Sequence, residues 1–203
     1  MKIKDLMISD PITITEKSTI SDAIELMKKN SIRHLPVIGK GRKLEGFVTL
    51  ADMKQGLMPS MVSDLSLADL MIKDPITVEP DDDIEIAARL IYNHKIGGIP
   101  VINRGRSVVG IITESDILRA FIDMMGLLTA SSRIDVVVGD ERGRLRKVVE
   151  ILNDNDCSII NVGLTTALKS PQKTYYFRLM PCDTESIKEA LIKEGIKVIA
   201  AMD

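Results

Sequence analysis

The stretch GFVTLAD, Gly46–Asp52, decides the fold because the chain writes it twice. It returns 64 positions later as GIITESD, Gly110–Asp116. In each copy a glycine and two apolar residues end a strand. A threonine, and three positions on an aspartate, then open a helix. Thr-x-x-Asp is a capping box, in which the hydroxyl takes an amide of the first turn and the carboxylate reaches back. The same carboxylate can accept both hydroxyls of a ribose diol, as an acidic residue does in dinucleotide folds. A helix N-terminus with a hydroxyl beside it also suits a phosphate or a sugar. One carboxylate has several acceptor sites, so capping and binding can coexist. The glycine at each start allows close approach of backbone.

Working outward, Lys4–Met53 aligns with Ala68–Ile117 without a gap. Identities include Asp5/Asp69, Met7/Met71, Asp10/Asp74, Pro11/Pro75, Thr13/Thr77, Pro36/Pro100 and Val37/Val101. Self-similarity of this kind means two copies of one structural unit packed together. Each unit reads as a short extended piece (12–14, 76–78), a helix, two strands joined by a Gly-containing turn, and a closing helix. The first helix carries Ile20, Ala23, Ile24 and Met27 on one face, and its counterpart Ile84, Ala87, Ala88 and Ile91. Residues 54–67, with Gly56 and Pro59, read as a linker. The expected boundaries are 1–58 for the first unit, 59–128 for the second and 133–203 for a third domain.

That third domain has its own pattern. Strand-like IDVVV (Ile134–Val138) leads through DERG to a helix with Leu145, Val148, Val149 and Leu152 on one face. SIINVGL and KTYYFRLM read as strands, Ile187, Ala190 and Leu191 mark a helix, and KVIAA is a last strand. The βαββαβ order predicts a small antiparallel sheet with two helices on one face.

The repeat exposes one asymmetry. SIRHLPVI (Ser31–Ile38) in the first copy becomes KIGGIPVI (Lys95–Ile102) in the second. Arg33 and His34 are therefore not required by the frame. Arginine offers a bidentate fork for phosphate, and histidine donates one or two protons near neutral pH. Gly97 and Gly98 can lend only backbone amides or space. The bland alternative for Arg33 and His34 is a solvated strand edge.

Bulk composition excludes several classes. Formal net charge is −2, which leaves no electrostatic footprint for nucleic acid. Aromatics are 3% with no Trp, so there are few platforms for stacking bases. No apolar run approaches the roughly 18 residues of a membrane span. The N-terminus meets an acid and a proline before any long apolar region and does not read as a signal peptide. Cys157 and Cys182 show neither metal spacing nor a disulfide framework, which points to a reducing cytoplasm. Asp81, Asp82 and Asp83 precede a helix and read as capping and solvation rather than a metal site. His94 stands near a helix end, where a cation is favourable anyway. The chain has two histidines, no P-loop and no Ser–His–Asp arrangement, so an enzyme is not expected.

From Met1 to about Met125 the chain resembles a tandem pair of cystathionine-β-synthase (CBS) domains. The carrying residues are DLM-x-x-DPIT at each start, the apolar-Pro-Val-Ile strand and G-h-h-T-x-x-D at each end. The resemblance implies a pseudo-twofold disc with two clefts for adenosine nucleotides of the AMP, ADP and ATP class, or S-adenosylmethionine. It implies ribose contact by Asp52 and Asp116, supported by Thr49 and Thr113. It implies adenine or ribose contact near Thr13, Ile14, Thr77 and Val78. It places residues around Pro36 and Pro100, including Gly98, at the cleft floor, and assigns phosphate contact to Arg33 and His34. It implies no cofactor beyond the regulatory nucleotide.

From Arg133 to Asp203 the chain resembles an ACT domain, a small ligand-binding module of amino-acid-controlled enzymes. The carrying residues are Ile134–Val138, DERGRL (Asp140–Leu145) and the strand beginning CSII. The resemblance implies a ligand site or subunit contact at Asp140, Gly143, Arg144, Leu145 and Ser158. The chain has Ser158 where amino-acid binders carry Asn, and Asp156 where glycine is usual. Amino-acid binding and dimerisation both remain open.

The layout is similar to accessory proteins of bacterial acetoin-utilisation clusters. The expected whole is an α+β homodimer, a CBS pair followed by a ferredoxin-like βαββαβ domain, acting as a cytoplasmic regulator of some enzyme. A constitutive dimerisation scaffold without ligand sensing is the alternative.

Overall fold

The computed structural model describes residues 1–56, 66–139, 142–166 and 173–203. Pro59 and Asp140 lie outside the described residues. The chain divides into two compact units, Met1–Arg119 and Ala120–Asp203. It is an α+β protein whose sheets are built from antiparallel strands.

The first unit contains β1 (Ile8–Ser9), α1 (Ile20–Lys29), β2 (His34–Ile38), β3 (Leu44–Thr49), α2 (Leu50–Gly56), α3 (Leu67–Leu70), α4 (Ile84–His94), β4 (Gly98–Ile102) and β5 (Val108–Thr113). The helix α5 (Glu114–Met124) begins in it. Thr19 caps α1 by accepting the Asp22 amide at 3.0 Å, while Asp22 accepts the Thr19 amide at 2.9 Å. The predicted stripe Ile20, Ala23, Ile24 and Met27 is the buried face of α1. Lys95 ends α4 in a left-handed conformation.

The hairpins β2–β3 and β4–β5 share one register. His34 stands opposite Thr49, and Gly98 opposite Thr113. The pairing sets residues 33–34 and 97–98 beside the helix starts that Thr49 and Thr113 cap. The Leu50 amide donates to the Arg33 carbonyl at 2.9 Å, and the Glu114 amide to the Gly97 carbonyl at 3.2 Å. The extended pieces add parallel bridges, Ile14 to Val37 and Val78 to Val101.

The two repeats exchange their entry segments. Ile3 is fully buried in the core of the second repeat with Val78, Ile99 and Ile112. Its counterpart Leu67 is fully buried in the core of the first, with Leu35, Val37 and Met53. β1 pairs with β5, and Ile72 bridges Phe47. The linker expected over 54–67 is thereby corrected at both ends. Lys54 and Gly56 continue α2, and Leu67 is core. A buried leucine at the head of a repeat is packing that a Gly/Pro signal does not reveal.

The exchange also explains the signature glycines. A β-carbon on Gly46 would meet the Met71 side chain and the Ile72 carbonyl, and one on Gly110 would meet Met7 and the Ile8 carbonyl. Asp81 and Asp83 pair with Lys4 and Lys2, while Asp82 takes the Glu79 amide at 2.8 Å.

The second unit contains β6 (Ser132–Val138), α6 (Arg144–Asp154), β7 (Ile159–Thr166), β8 (Lys173–Leu179), α7 (Thr184–Lys193) and β9 (Lys197–Met202). Its sheet order is β7-β8-β6-β9, antiparallel throughout, the ferredoxin-like arrangement. Ile134, Val136, Phe177 and Leu179 from the sheet pack with Val148, Leu152, Ile187 and Leu191 from the helices. Leu145 departs from its predicted place on the buried face, since it lies exposed in the first turn and Ile151 is buried instead.

Cys157 and Cys182 are joined in a disulfide, which corrects the expectation of no disulfide framework. Cys157 follows the end of α6 and Cys182 precedes α7. The antiparallel sheet returns both to one end, with Cα atoms 6.0 Å apart. Spacing alone does not carry that proximity.

Candidate functional site

The first unit carries two clefts related by the 64-residue offset. Asp52 lines the larger, a cavity of about 680 Å³, with Thr49, Phe47, Ile76, Gly97 and Gly98. Asp116 lines the smaller, of about 250 Å³, with Thr113, Ile111, Ile12 and Ser115. Each cleft takes its carboxylate from one repeat and residues just after the DP motif from the other.

The two aspartates are held alike. Asp52 Oδ2 accepts the Thr49 amide at 3.0 Å and the Thr49 hydroxyl at 2.7 Å. Asp116 Oδ2 accepts the Thr113 amide at 2.8 Å and its hydroxyl at 2.7 Å. The capping box is complete in the first copy, where the Thr49 hydroxyl also accepts the Asp52 amide at 3.3 Å, while the second copy shows its carboxylate half. Capping occupies one oxygen only. Oδ1 of each carboxylate accepts no hydrogen bond among the described residues. Both roles weighed for this motif are thus available to one side chain.

Arg33 and His34 line both clefts. The half-buried His34 ring lies parallel to the Phe47 ring, with centroids 5.9 Å apart. Its far edge reaches the second repeat. Nε2 stands 2.8 Å from where a β-carbon on Gly97 would be, and Cγ 3.4 Å from one on Gly98. The glycine pair is the space that His34 fills. Burial, reinforced by the Arg33 cation, holds the imidazole below its ordinary value of 6.5, while Glu114 and Asp52 pull the other way. The Arg33 guanidinium makes no ion pair among the described residues.

Of the sequence-predicted residues, Arg33, His34, Thr49, Asp52 and Gly98 meet around the larger cleft. Arg33, His34, Thr113 and Asp116 meet around the smaller. Thr13, Ile14, Pro36, Thr77, Val78 and Pro100 line neither. Ile14 and Val78 are core residues, and Pro36 and Pro100 are buried within strands. The lining comes instead from Pro11 and Ile12, and from Pro75 and Ile76. Their repetition in DPIT was the available signal. Lys95 and Glu114 also line the larger cleft. They differ from their counterparts Ser31 and Leu50, so the repeat could not single them out.

In the second unit, Gly143 precedes α6 with φ of 89° and nothing where a β-carbon would stand. Arg144 donates to the Glu194 and Gly195 carbonyls at the end of α7. Ser158 is exposed, and its carbonyl accepts the Met180 amide. Asp156 adopts φ of 56°, a left-handed position where glycine is favoured. No group of acidic, His or Cys side chains fit to hold a metal ion occurs among the described residues. None of their helices is long and apolar enough to cross a membrane.

A pair of repeats that exchange their entry segments, with a cleft beside each carboxylate-capped helix start, defines the class. The CBS-domain model matches residues 3–58 and 67–123, and the chain belongs to that family. It is 37% identical over 117 residues to a homoserine O-acetyltransferase of Methanohalobium evestigatum. That match covers 58% of this chain and 23% of the relative, so the chain spans well under half the length of such curated relatives. The CBS-domain pair of protein MJ0100, solved with 5-methylthioadenosine and S-adenosyl-L-methionine, is 30% identical with a TM-score of 0.56, covering 60% of this chain and 95% of that one. A structure described as an acetoin utilization protein (AcuB) from Vibrio cholerae is 32% identical with a TM-score of 0.58, covering 63% and 96%. CBSX2 in complex with AMP is 26% identical with a TM-score of 0.53, covering 60% and 96%.

Proposed function

We propose that this chain is a non-catalytic regulatory sensor whose clefts take adenine nucleotides of the AMP, ADP and ATP class or S-adenosylmethionine. The observation that carries the reading is the state of Asp52 and Asp116. Each lines its cleft with one oxygen committed to its cap and the other accepting no hydrogen bond among the described residues. A ribose diol needs such an acceptor, and an adenine ring suits walls such as Ile76 and Phe47, or Ile12 and Ile111. The adenosine ligands of MJ0100 and the AMP of CBSX2 support the same class.

The second unit acts in this reading as an ACT-type module that binds an amino acid or pairs two chains. The chain works as a homodimer and controls an enzyme, as in an acetoin-utilisation system. Within the second unit, Phe121 and Met124 on α5 support self-association, being 55% and 56% exposed and three positions apart.

Thermal unfolding of the full chain with AMP, ATP, S-adenosylmethionine and a panel of amino acids tests the reading. A ligand at 100 times its dissociation constant adds about 2.7 kcal/mol. No shift with any adenosine compound overturns it. Light scattering tests the pairing, and Phe121→Glu with Met124→Glu is expected to give monomers.

A further inference from the structure

Arg33 and His34 are the two residues common to both clefts. Their repeat counterparts, Gly97 and Gly98, carry no side chain. The pseudo-twofold frame would place an anion-binding pair on each side, and this sequence supplies one pair, a guanidinium and an imidazole donor, for two sites. His34 makes the sharing physical, because its ring spans from Phe47 in the first repeat to the Gly97–Gly98 backbone of the second.

The remaining cations are unequally placed. Lys54 and Lys95 line the larger cleft as well, alongside the carboxylates of Asp74 and Glu114. Among the described residues, the smaller cleft has no basic side chain besides Arg33 and His34. Stacking on Phe47, itself part of the larger cleft, also holds the imidazole on that side. A phosphate in the larger cleft has Lys54 and Lys95 available besides the shared Arg33 and His34 donors, on a wall that also carries Asp74 and Glu114. A phosphate in the smaller one must take Arg33 away from its neighbour.

We propose that the clefts compete for one anion-binding wall, so a chain takes one phosphorylated nucleoside, in the Asp52 cleft, and leaves the Asp116 cleft to an unphosphorylated one. The inference rests on the nucleotide-sensing reading above and adds its stoichiometry and specificity. Like charges brought toward a single wall repel, and the low-dielectric cleft screens that repulsion poorly.

Titration calorimetry on the full chain with adenosine and with AMP separates the possibilities. Adenosine is expected to bind twice per chain. AMP is expected to bind once, with any second event at least tenfold weaker. Arg33→Gln with His34→Gln should lower AMP affinity about tenfold more than adenosine affinity, and equal losses for the two would remove the phosphate role. Asp116→Asn should leave the AMP event within twofold. Circular dichroism and the melting temperature confirm that each variant folds. Two equivalent AMP sites, or an AMP event lost in Asp116→Asn, overturn the shared wall and leave nucleotide sensing standing. Failure of both adenosine and AMP to bind overturns both readings.

Discussion

His34 and Gly97 are complementary across the pseudo-twofold axis, the imidazole Nε2 standing 2.8 Å from the missing β-carbon. A methyl there must displace the ring from its stack on Phe47. Gly97→Ala is expected to destabilise the first unit by about 1 kcal/mol, the low end for overpacking. In a His34→Ala background the same change should cost less than about 0.5 kcal/mol, because the obstacle is gone. Urea unfolding of the four proteins closes this cycle. Equal costs in both backgrounds would show that the two residues do not meet.

The lowered pKa of His34 sets a direction for stability against pH. Its imidazole is harder to protonate in the folded chain than in the unfolded one, where the value is near 6.5. Around that pH the unfolded state binds more protons, so stability rises with pH. The contribution is complete above 6.5 and is lost as pH falls below it. Melting temperatures from pH 5 to 7.5 should show a slope that His34→Gln reduces. An identical slope in the variant would assign the dependence to carboxylates instead.

Asp52→Asn and Asp116→Asn separate capping from ligand binding. The asparagine oxygen can still accept the amide and hydroxyl of Thr49 or Thr113, so each helix start survives. The amide nitrogen then replaces the free acceptor. Expected are melting temperatures within about 2 °C of wild type and loss of one adenosine site per variant. Asp→Ala should lose the same binding and also about 1 kcal/mol of cap. Retained adenosine binding in both Asn variants would remove the carboxylates from the site.

The sequence made the frame legible because a repeat reports geometry twice. Thr49 and Asp52 alone would read as a helix cap. With Thr113 and Asp116 they define two related clefts. The apolar stripes of α1 and α4 gave the helices, and the βαββαβ order gave the second sheet. Ile3 and Leu67 were not legible as core, since each packs in the other repeat and no local pattern encodes an exchange. Ile12 and Ile76 were missed by one or two positions, because alternation in so short a segment does not say which side chain faces a cleft. The Cys157–Cys182 pair lay beyond reach, because proximity across a sheet end is tertiary.

That exchange predicts a matched pair of sensitive glycines. Met71 packs against Gly46 and Met7 against Gly110, and a backbone carbonyl stands 3.1 and 3.3 Å from where a β-carbon on each would be. The methionines can move and the carbonyls cannot. Gly46→Ala and Gly110→Ala should each destabilise the first unit by about 1–3 kcal/mol, with similar costs because the environments repeat. Replacing the facing Met by Ala should recover part of the loss. Hydrogen exchange would localise the damage to the entry segments at 67–72 and 3–9. A cost confined to one of the two would contradict the symmetry of the exchange.

The Cys157–Cys182 bond closes a loop across a sequence separation of 25 and ties the end of α6 to the start of α7. Loop-closure entropy for that length corresponds to roughly 3 kcal/mol. The effect should be confined to the transition of the second unit, since the first contains no cysteine. Thiol titration of the denatured chain is expected to find no free thiols before reduction and two after it. Reductant should lower the melting of the second unit and leave the first unchanged. The double Cys157→Ala and Cys182→Ala variant should melt like the reduced wild type and ignore reductant. Two free thiols without reduction, together with a melting curve indifferent to reductant, would mean that the sulfurs are neighbours and not partners.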